Sequence, residues 1–223
     1  MILVFDLDDT LYDEICYVQS GLRAVADFMA QQWHLESSAI YRRLTRTLNE
    51  HGRGRVFDTV LSHYGRLTKA NVHQCLGIYR QHKPLIKLHR AGEQCLRRFG
   101  TDTRYLVTDG NKLVQYNKVK ALGLEQRFKR VFITHRFGIK HAKPSPHCFK
   151  LIAKAENLSP HNIVYIGDNP AKDFVGIKPL GFKTVRVLTG MHSDVRLPQR
   201  FEADVSIGSL DELTPELIDK LQG

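Results

Sequence analysis

Ile2-Leu3-Val4-Phe5-Asp6-Leu7-Asp8-Asp9-Thr10 decides how this chain is read. An apolar, strand-like run ends in two carboxylates two positions apart. In an extended chain alternate side chains share a face, so Asp6 and Asp8 leave the strand end pointing the same way. Two acids held that close resist joint ionisation unless a cation joins them or one keeps its proton. The pair suits a metal-assisted nucleophile beside a general acid and base. A turn or helix-capping cluster of acids is the plainer reading of the same residues.

Three further apolar runs end in polar groups of the right kind. Arg104-Tyr105-Leu106-Val107 leads into Thr108-Asp109-Gly110-Asn111, and Val131-Phe132-Ile133 precedes a loop carrying Lys143-Pro144-Ser145-Pro146. Ile163-Val164-Tyr165-Ile166 leads into Gly167-Asp168-Asn169-Pro170, with Asp173 shortly after. Doubly wound α/β sheets bind ligands at the carboxyl ends of their strands, near the point where strand order reverses. All four groups are predicted to lie at that end. Helices are predicted from His89 to Phe99, from Leu113 to Leu122, and from Ser145-Pro146 (as N-cap and first helical position) to about Asn157. Further strands are expected at Thr184–Val187 and Asp204–Ile207, and this rhythm implies parallel pairing.

Asp6-x-Asp8-x-Thr10, Thr108, Lys143 and Gly167-Asp168-x4-Asp173 together resemble the four motifs of the haloacid dehalogenase superfamily. They follow that family's order and span most of the chain. The resemblance implies an α/β fold, a doubly wound, Rossmann-like parallel sheet with an α-helical cap inserted between the first and second motifs. It implies a phosphatase in which Asp6 attacks phosphorus and Asp8 protonates the leaving oxygen, then takes a proton from water. Mg²⁺ would be held by Asp6, Asp168 and the main-chain carbonyl of Asp8, with Asp173 holding a metal-bound water or orienting Lys143. Thr108 and Lys143 would face the phosphoryl oxygens, and Asp109, Gly110 and Asn111 the substrate or lid. Asp9 reads as a second layer of that site or as a turn residue. True dehalogenases of the superfamily lack an acid two residues after the nucleophile, so Asp8 disfavours carbon–halogen cleavage. Its phosphonate hydrolases use a cap lysine, and the helical region here holds only Lys69 and Lys83, neither in an evident motif. A phosphomutase keeps both acids and remains an alternative.

Between the first two motifs the periodicity turns helical. Leu22, Val25, Ala26, Met29 and Ala30 form one stripe. Leu44, Thr47 and Leu48 continue it, then Val56, Val60, Leu61 and Tyr64, then Val72, Leu76 and Tyr79. Gly52, Gly54 and Gly65 interrupt these stretches. The expected division is a catalytic core of residues 1–13 and 84–223 and a cap of residues 14–83. An insertion of this length beside an active-site loop reads as a lid. The cap region carries ten Lys and Arg against five Asp and Glu. In His51-Gly52-Arg53-Gly54-Arg55, Arg53 and Arg55 are candidate substrate contacts, with a solvated basic surface as the plainer reading.

The chain has 223 residues and a formal net charge of +10. A small phosphorylated metabolite, a sugar phosphate or a nucleoside monophosphate, fits that charge. Nucleic acid is the rival partner, but the basic residues are dispersed, without aromatic interleaving. A regulatory protein on this fold is a third reading, against which the intact acids argue. The apolar N-terminal run is too short for a signal peptide, and no stretch approaches the roughly 20 apolar residues of a membrane span. Cys16, Cys75, Cys95 and Cys148 form no C-x-x-C pair. A cytoplasmic protein with reduced thiols, monomeric or homodimeric, is expected. Zinc is not expected; His147-Cys148 is the nearest candidate.

Overall fold

A computed structural model describes residues 2–222. Six strands, β1 (Ile2–Phe5), β2 (Thr103–Thr108), β3 (Arg130–Ile133), β4 (Ile163–Gly167), β5 (Lys183–Val187) and β6 (Val205–Ile207), form one sheet. Its order is β3-β2-β1-β4-β5-β6, and every pairing is parallel. This is the doubly wound arrangement, with its reversal between β1 and β4. Those two strands are apolar along nearly their whole length, and β2 over residues 105–107, because a parallel sheet is covered on both faces. All of β1 and β4 is buried. On one face Ile2, Val4, Val107, Phe132, Phe149, Ile163, Tyr165 and Phe174 form a single apolar cluster.

The chain divides into two compact units. The first comprises Met1–Glu14 and Lys87–Gly223 and holds the sheet with α5 (Arg90–Arg98), α6 (Lys112–Ala121), α7 (His147–Glu156) and α8 (Pro215–Gln222). The second, Ile15–Ile86, is helical. It holds α1 (Glu14–Trp33, all but its first residue), α2 (Ser37–His51), α3 (Val56–His63) and α4 (Lys69–Gln81). Its own core joins Leu22, Val25 and Met29 of α1 to Ile40 and Leu44 of α2, Val60 and Leu61 of α3, and Cys75 of α4. The periodic stripes read from sequence supply most of these positions; Ile40 and Cys75 were not among them.

Element ends differ slightly from the sequence reading. Helix α7 starts at His147, not Pro146; Ser145 Oγ accepts from the His147 N–H at 3.4 Å, one residue short of a regular cap. Strand β6 starts at Val205, one residue later than expected; the Asp204 carboxylate takes the N–H and hydroxyl of Thr184, both at 2.8 Å, and the Asp204 N–H donates to the Thr184 carbonyl at 3.2 Å. His89 sits before α5 as its N-cap, accepting from the Gly92 N–H at Nδ1 and donating from Nε2 to the Thr10 carbonyl. That side chain ties α5 to the loop that follows Asp6 and Asp8.

Candidate active site

β1 and β4 each deliver an aspartate one residue beyond their ends, side by side at the reversal point. The Asp6 N–H donates to the Ile166 carbonyl at 2.8 Å, so the sheet ladder itself holds the first of them. Asp6 and Asp168 are both buried. Carboxylate oxygens of Asp6, Asp168 and Asp173 all lie within 4.8 Å of one another. Lys143 is brought to them by the long segment after β3. Its ammonium donates to Asp6 Oδ1 (2.7 Å), Asp173 Oδ1 (2.8 Å) and the Tyr165 hydroxyl oxygen (2.8 Å). Tyr165 in turn donates to Asp173 Oδ1 at 3.0 Å, and the Asn169 N–H donates to Asp173 Oδ2 at 2.9 Å. Both oxygens of Asp173 are thus engaged by protein, which suits orienting Lys143 better than direct ligation. Gly167 is required by this closeness, since a Cβ there would stand 2.6 Å from Asp173 Oδ2.

The charges do not balance. Burial, then Asp173 and Asp6, push the Asp168 carboxyl up to about 9. Burial outweighs Lys143 at Asp6 and pushes it up to about 7, with Asp173 adding to the rise. One lysine cannot neutralise three buried acids. Crowded hard oxygen donors of this kind fit Mg²⁺, which binds through one or two carboxylates and keeps its remaining positions for water and phosphate.

Asp8 stands apart from that cluster. Its Oδ1 accepts from the Lys118 ammonium at 2.7 Å and the Tyr12 hydroxyl at 2.5 Å, and its Oδ2 from the Gln115 amide at 2.8 Å. Burial works to raise its pKa, but Lys118, Tyr12 and Gln115 outweigh it and hold it below the ordinary carboxylate value. Gln115 also donates to Thr108 Oγ1 and the Asp109 carbonyl, so the end of β2 is joined to Asp8 through one amide. Burial and the Asp8 charge keep the Tyr12 phenol protonated.

The remaining sequence-predicted residues fall in several places. Thr108 ends β2 and is fully buried. Asp109 Oδ1 accepts from the Thr134 hydroxyl and the Lys143 N–H, and Lys172 lies 3.7 Å from its Oδ2. Burial pulls Asp109 upward, but the Thr134 hydrogen bond, Lys143 and Lys172 hold it low. Gly110 follows, and Asn111 caps α6 with its side-chain oxygen on Leu113 and Val114 N–H. Asp9 is a turn and cap residue: at φ 55 it accepts the Glu14 N–H and the Met191 N–H on its two oxygens. Arg53 and Arg55 lie on a short, exposed 3₁₀ turn of the helical unit. Cys148 is buried in the apolar cluster.

Sequence reasoning missed Gln115, Lys118, Tyr12 and Tyr165, and also Lys172 and His192. The last two line, with Asp6, Asp8, Asp109 and Asp168, a cavity of about 100 Å³. A groove of about 510 Å³ in the helical unit lies among Asp58, Leu67, Lys69, Val72, His73 and Leu76. On α6 the apolar Leu113 and Tyr116 are exposed while the polar Gln115 and Lys118, one turn apart, are buried.

Comparison with known proteins fits this architecture. A model of the haloacid dehalogenase-like hydrolases matches residues 1–181, and the chain belongs to that family. Within it the chain is an enzyme of the phosphatase type. It is 27% identical to a glyceraldehyde 3-phosphate phosphatase of Pyrococcus furiosus, over 100% of this chain and 94% of that protein. A glyceraldehyde 3-phosphate phosphatase of Methanocaldococcus jannaschii is 30% identical, over 95% of this chain and 94% of its own. Among solved structures, a haloacid dehalogenase-type hydrolase of Bacillus subtilis bound to magnesium superposes with a TM-score of 0.68 at 20% identity, covering 99% of this chain and 97% of that one. At that identity the likeness speaks for the fold.

Proposed function

We propose that this protein is a Mg²⁺-dependent phosphomonoester hydrolase that works through an aspartyl phosphate on a small phosphorylated metabolite. The observation that carries the reading is the buried pair at the sheet's reversal point, Asp6 and Asp168, with the Lys143 ammonium 2.7 Å from Asp6. Lys143 occupies Oδ1 of Asp6, and the other oxygen is the one for attack on phosphorus. Asp6 forms the new P–O bond while the ester oxygen departs with a proton from Asp8, which is ionised in the free protein and takes that proton up as the negative charge of the ester enters the site. In the second step Asp8 takes a proton from water, which displaces Asp6 and frees phosphate. Asp6 and Asp168, with the main-chain carbonyl of Asp8, would hold Mg²⁺, which when bound supplies charge neutralisation and polarisation of the phosphoryl oxygens. Lys143 adds a fixed positive charge where the transition state gathers negative charge.

The helical unit is the proposed cap, and choice of the alcohol part of the ester is assigned to it. The names of the relatives make glyceraldehyde 3-phosphate the first ester to try, with other sugar phosphates, phosphoserine and nucleoside monophosphates beside it. The test is phosphate release from that panel with and without Mg²⁺, alongside Asp6→Asn. Metal-dependent release that vanishes in Asp6→Asn is expected. No release from any ester by folded protein with Mg²⁺ would sink the reading.

A further inference from the structure

The acid at position 8 is bound on the protein side by an unusual number of donors. A carboxylate offers about four acceptor positions, two on each oxygen. At Asp8 the Lys118 ammonium (2.7 Å) and the Tyr12 hydroxyl (2.5 Å) fill both positions on Oδ1, and the Gln115 amide (2.8 Å) fills one on Oδ2. The Asp8 side chain is 21% exposed and lines the catalytic cavity, whereas the Lys118 side chain is 3% exposed. One position therefore remains, on Oδ2, where a proton can pass between Asp8 and a bound ester. Lys118 itself is shared: Glu14 lies 3.5 Å from its ammonium on the other side.

A buried lysine is costly to keep unless its charge is used. Here it comes from α6, 110 residues away in sequence, to Asp8 Oδ1 at 2.7 Å, with Glu14 at 3.5 Å. We infer that Lys118 is a positioning residue for proton transfer: with Tyr12 it occupies Oδ1 of Asp8 and so makes Oδ2 the oxygen that protonates the leaving group. Gln115 fixes the carboxylate plane from the other side and ties it to Thr108. Lys118 touches neither substrate nor metal in this role; it acts through Asp8. Without it, Asp8 can turn about its side-chain bonds, and the productive position is no longer the one left open.

This inference rests on the hydrolase reading, and the choice of leaving group separates the two. An alkyl phosphate needs its departing oxygen protonated, whereas para-nitrophenyl phosphate releases a stable phenolate without help. Activity as kcat/KM reports the steps up to release of that group, before water enters. In Lys118→Met, kcat/KM for an alkyl phosphate should fall about 10²- to 10³-fold, within the range that general acid catalysis supplies. The fall for para-nitrophenyl phosphate should stay below about 10-fold, since little of that contribution is used. Lys118→Arg, which keeps a buried cation, should recover most of the alkyl phosphate rate. If Lys118→Met fails to fold, Lys118→Gln carries the same discrimination. Equal losses with both esters, or no loss with either, overturn the positioning role. Wild-type protein that hydrolyses neither ester overturns the hydrolase reading itself, and this inference with it.

Discussion

The sheet unit and the helical unit treat charge in opposite ways. Among the described residues, Asp6, Asp9, Lys118, Lys143, Asp168, Asp173 and Arg186 are buried in the sheet unit, Arg186 against the Glu202 carboxylate at 2.7 Å. In the helical unit the only buried polar side chain among the described residues is Thr47. Its many arginines stay in water: Arg53 and Arg55 sit on an exposed turn, and Arg42, Arg43 and Arg46 line an open hollow of α2. Burial makes an interaction strong, and it fixes geometry before any ligand arrives; solvated charge is screened and adjustable.

Removing the centre of the buried network should break the comparison most severely. Lys143→Met leaves Asp6 and Asp173 without their cation, and kcat should fall about 10²- to 10³-fold. The same variant should lose roughly 3–5 kcal/mol of stability in metal-free protein, read by denaturant titration. A variant as active as wild type would show that the buried charges are structural only.

Gly190→Ala tests how rigidly the loop after β5 is held. Gly190 has φ +62, and a Cβ there would stand 2.1 Å from Cγ of Asp9, which is itself pinned by Glu14 and Met191 N–H groups. A cost of about 1–3 kcal/mol in unfolding free energy is expected. No change in the denaturation midpoint would mean that the loop yields freely.

The crowded acids should also show themselves through pH. Asp6 is raised to about 7 and Asp168 to about 9, above their unfolded value near 3.8. The metal-free native state therefore holds protons that the unfolded chain has released, and its stability should fall as pH rises from about 4 through 7 towards 9. Mg²⁺ relieves that repulsion, so the rise in melting temperature on adding Mg²⁺ should be larger at pH 8.5 than at pH 5.5. Equal rises at both values would contradict the assignment of these acids to the metal. The smallest effects should come from the exposed turn: Arg53→Ala and Arg55→Ala should each leave stability within about 0.5 kcal/mol. With the preferred ester, kcat should hold while KM rises no more than a few-fold, as expected for exposed charge. A collapse of kcat in either would erase the distinction between the units.

Much of the site was legible because strands announce their ends. Asp6 and Asp168 were found from apolar runs that stop at an acid, and Lys143 from the loop that follows a third run; the structure brings the three together as a parallel sheet must. Asp9, by contrast, was ambiguous until its two oxygens were seen capping α1 and holding Met191. The same holds for Asn111, whose cap on α6 is a local bond that its neighbours Leu113 and Val114 complete.

What the sequence by itself determined was therefore the alternation of elements, the sheet's two-sided burial and the residues placed at the carboxyl ends of β1, β2 and β4. These depend on periodicity and on strand ends, which are local. Only the tertiary structure decided the partners of Asp8. Lys118 and Gln115 come to it from more than a hundred residues away, carried on α6, whose Leu113 and Tyr116 are exposed. No local pattern encodes that meeting. It exists because β1 and β2 pair in a register that brings their ends level, and because a buried carboxylate must find donors wherever the packed chain supplies them.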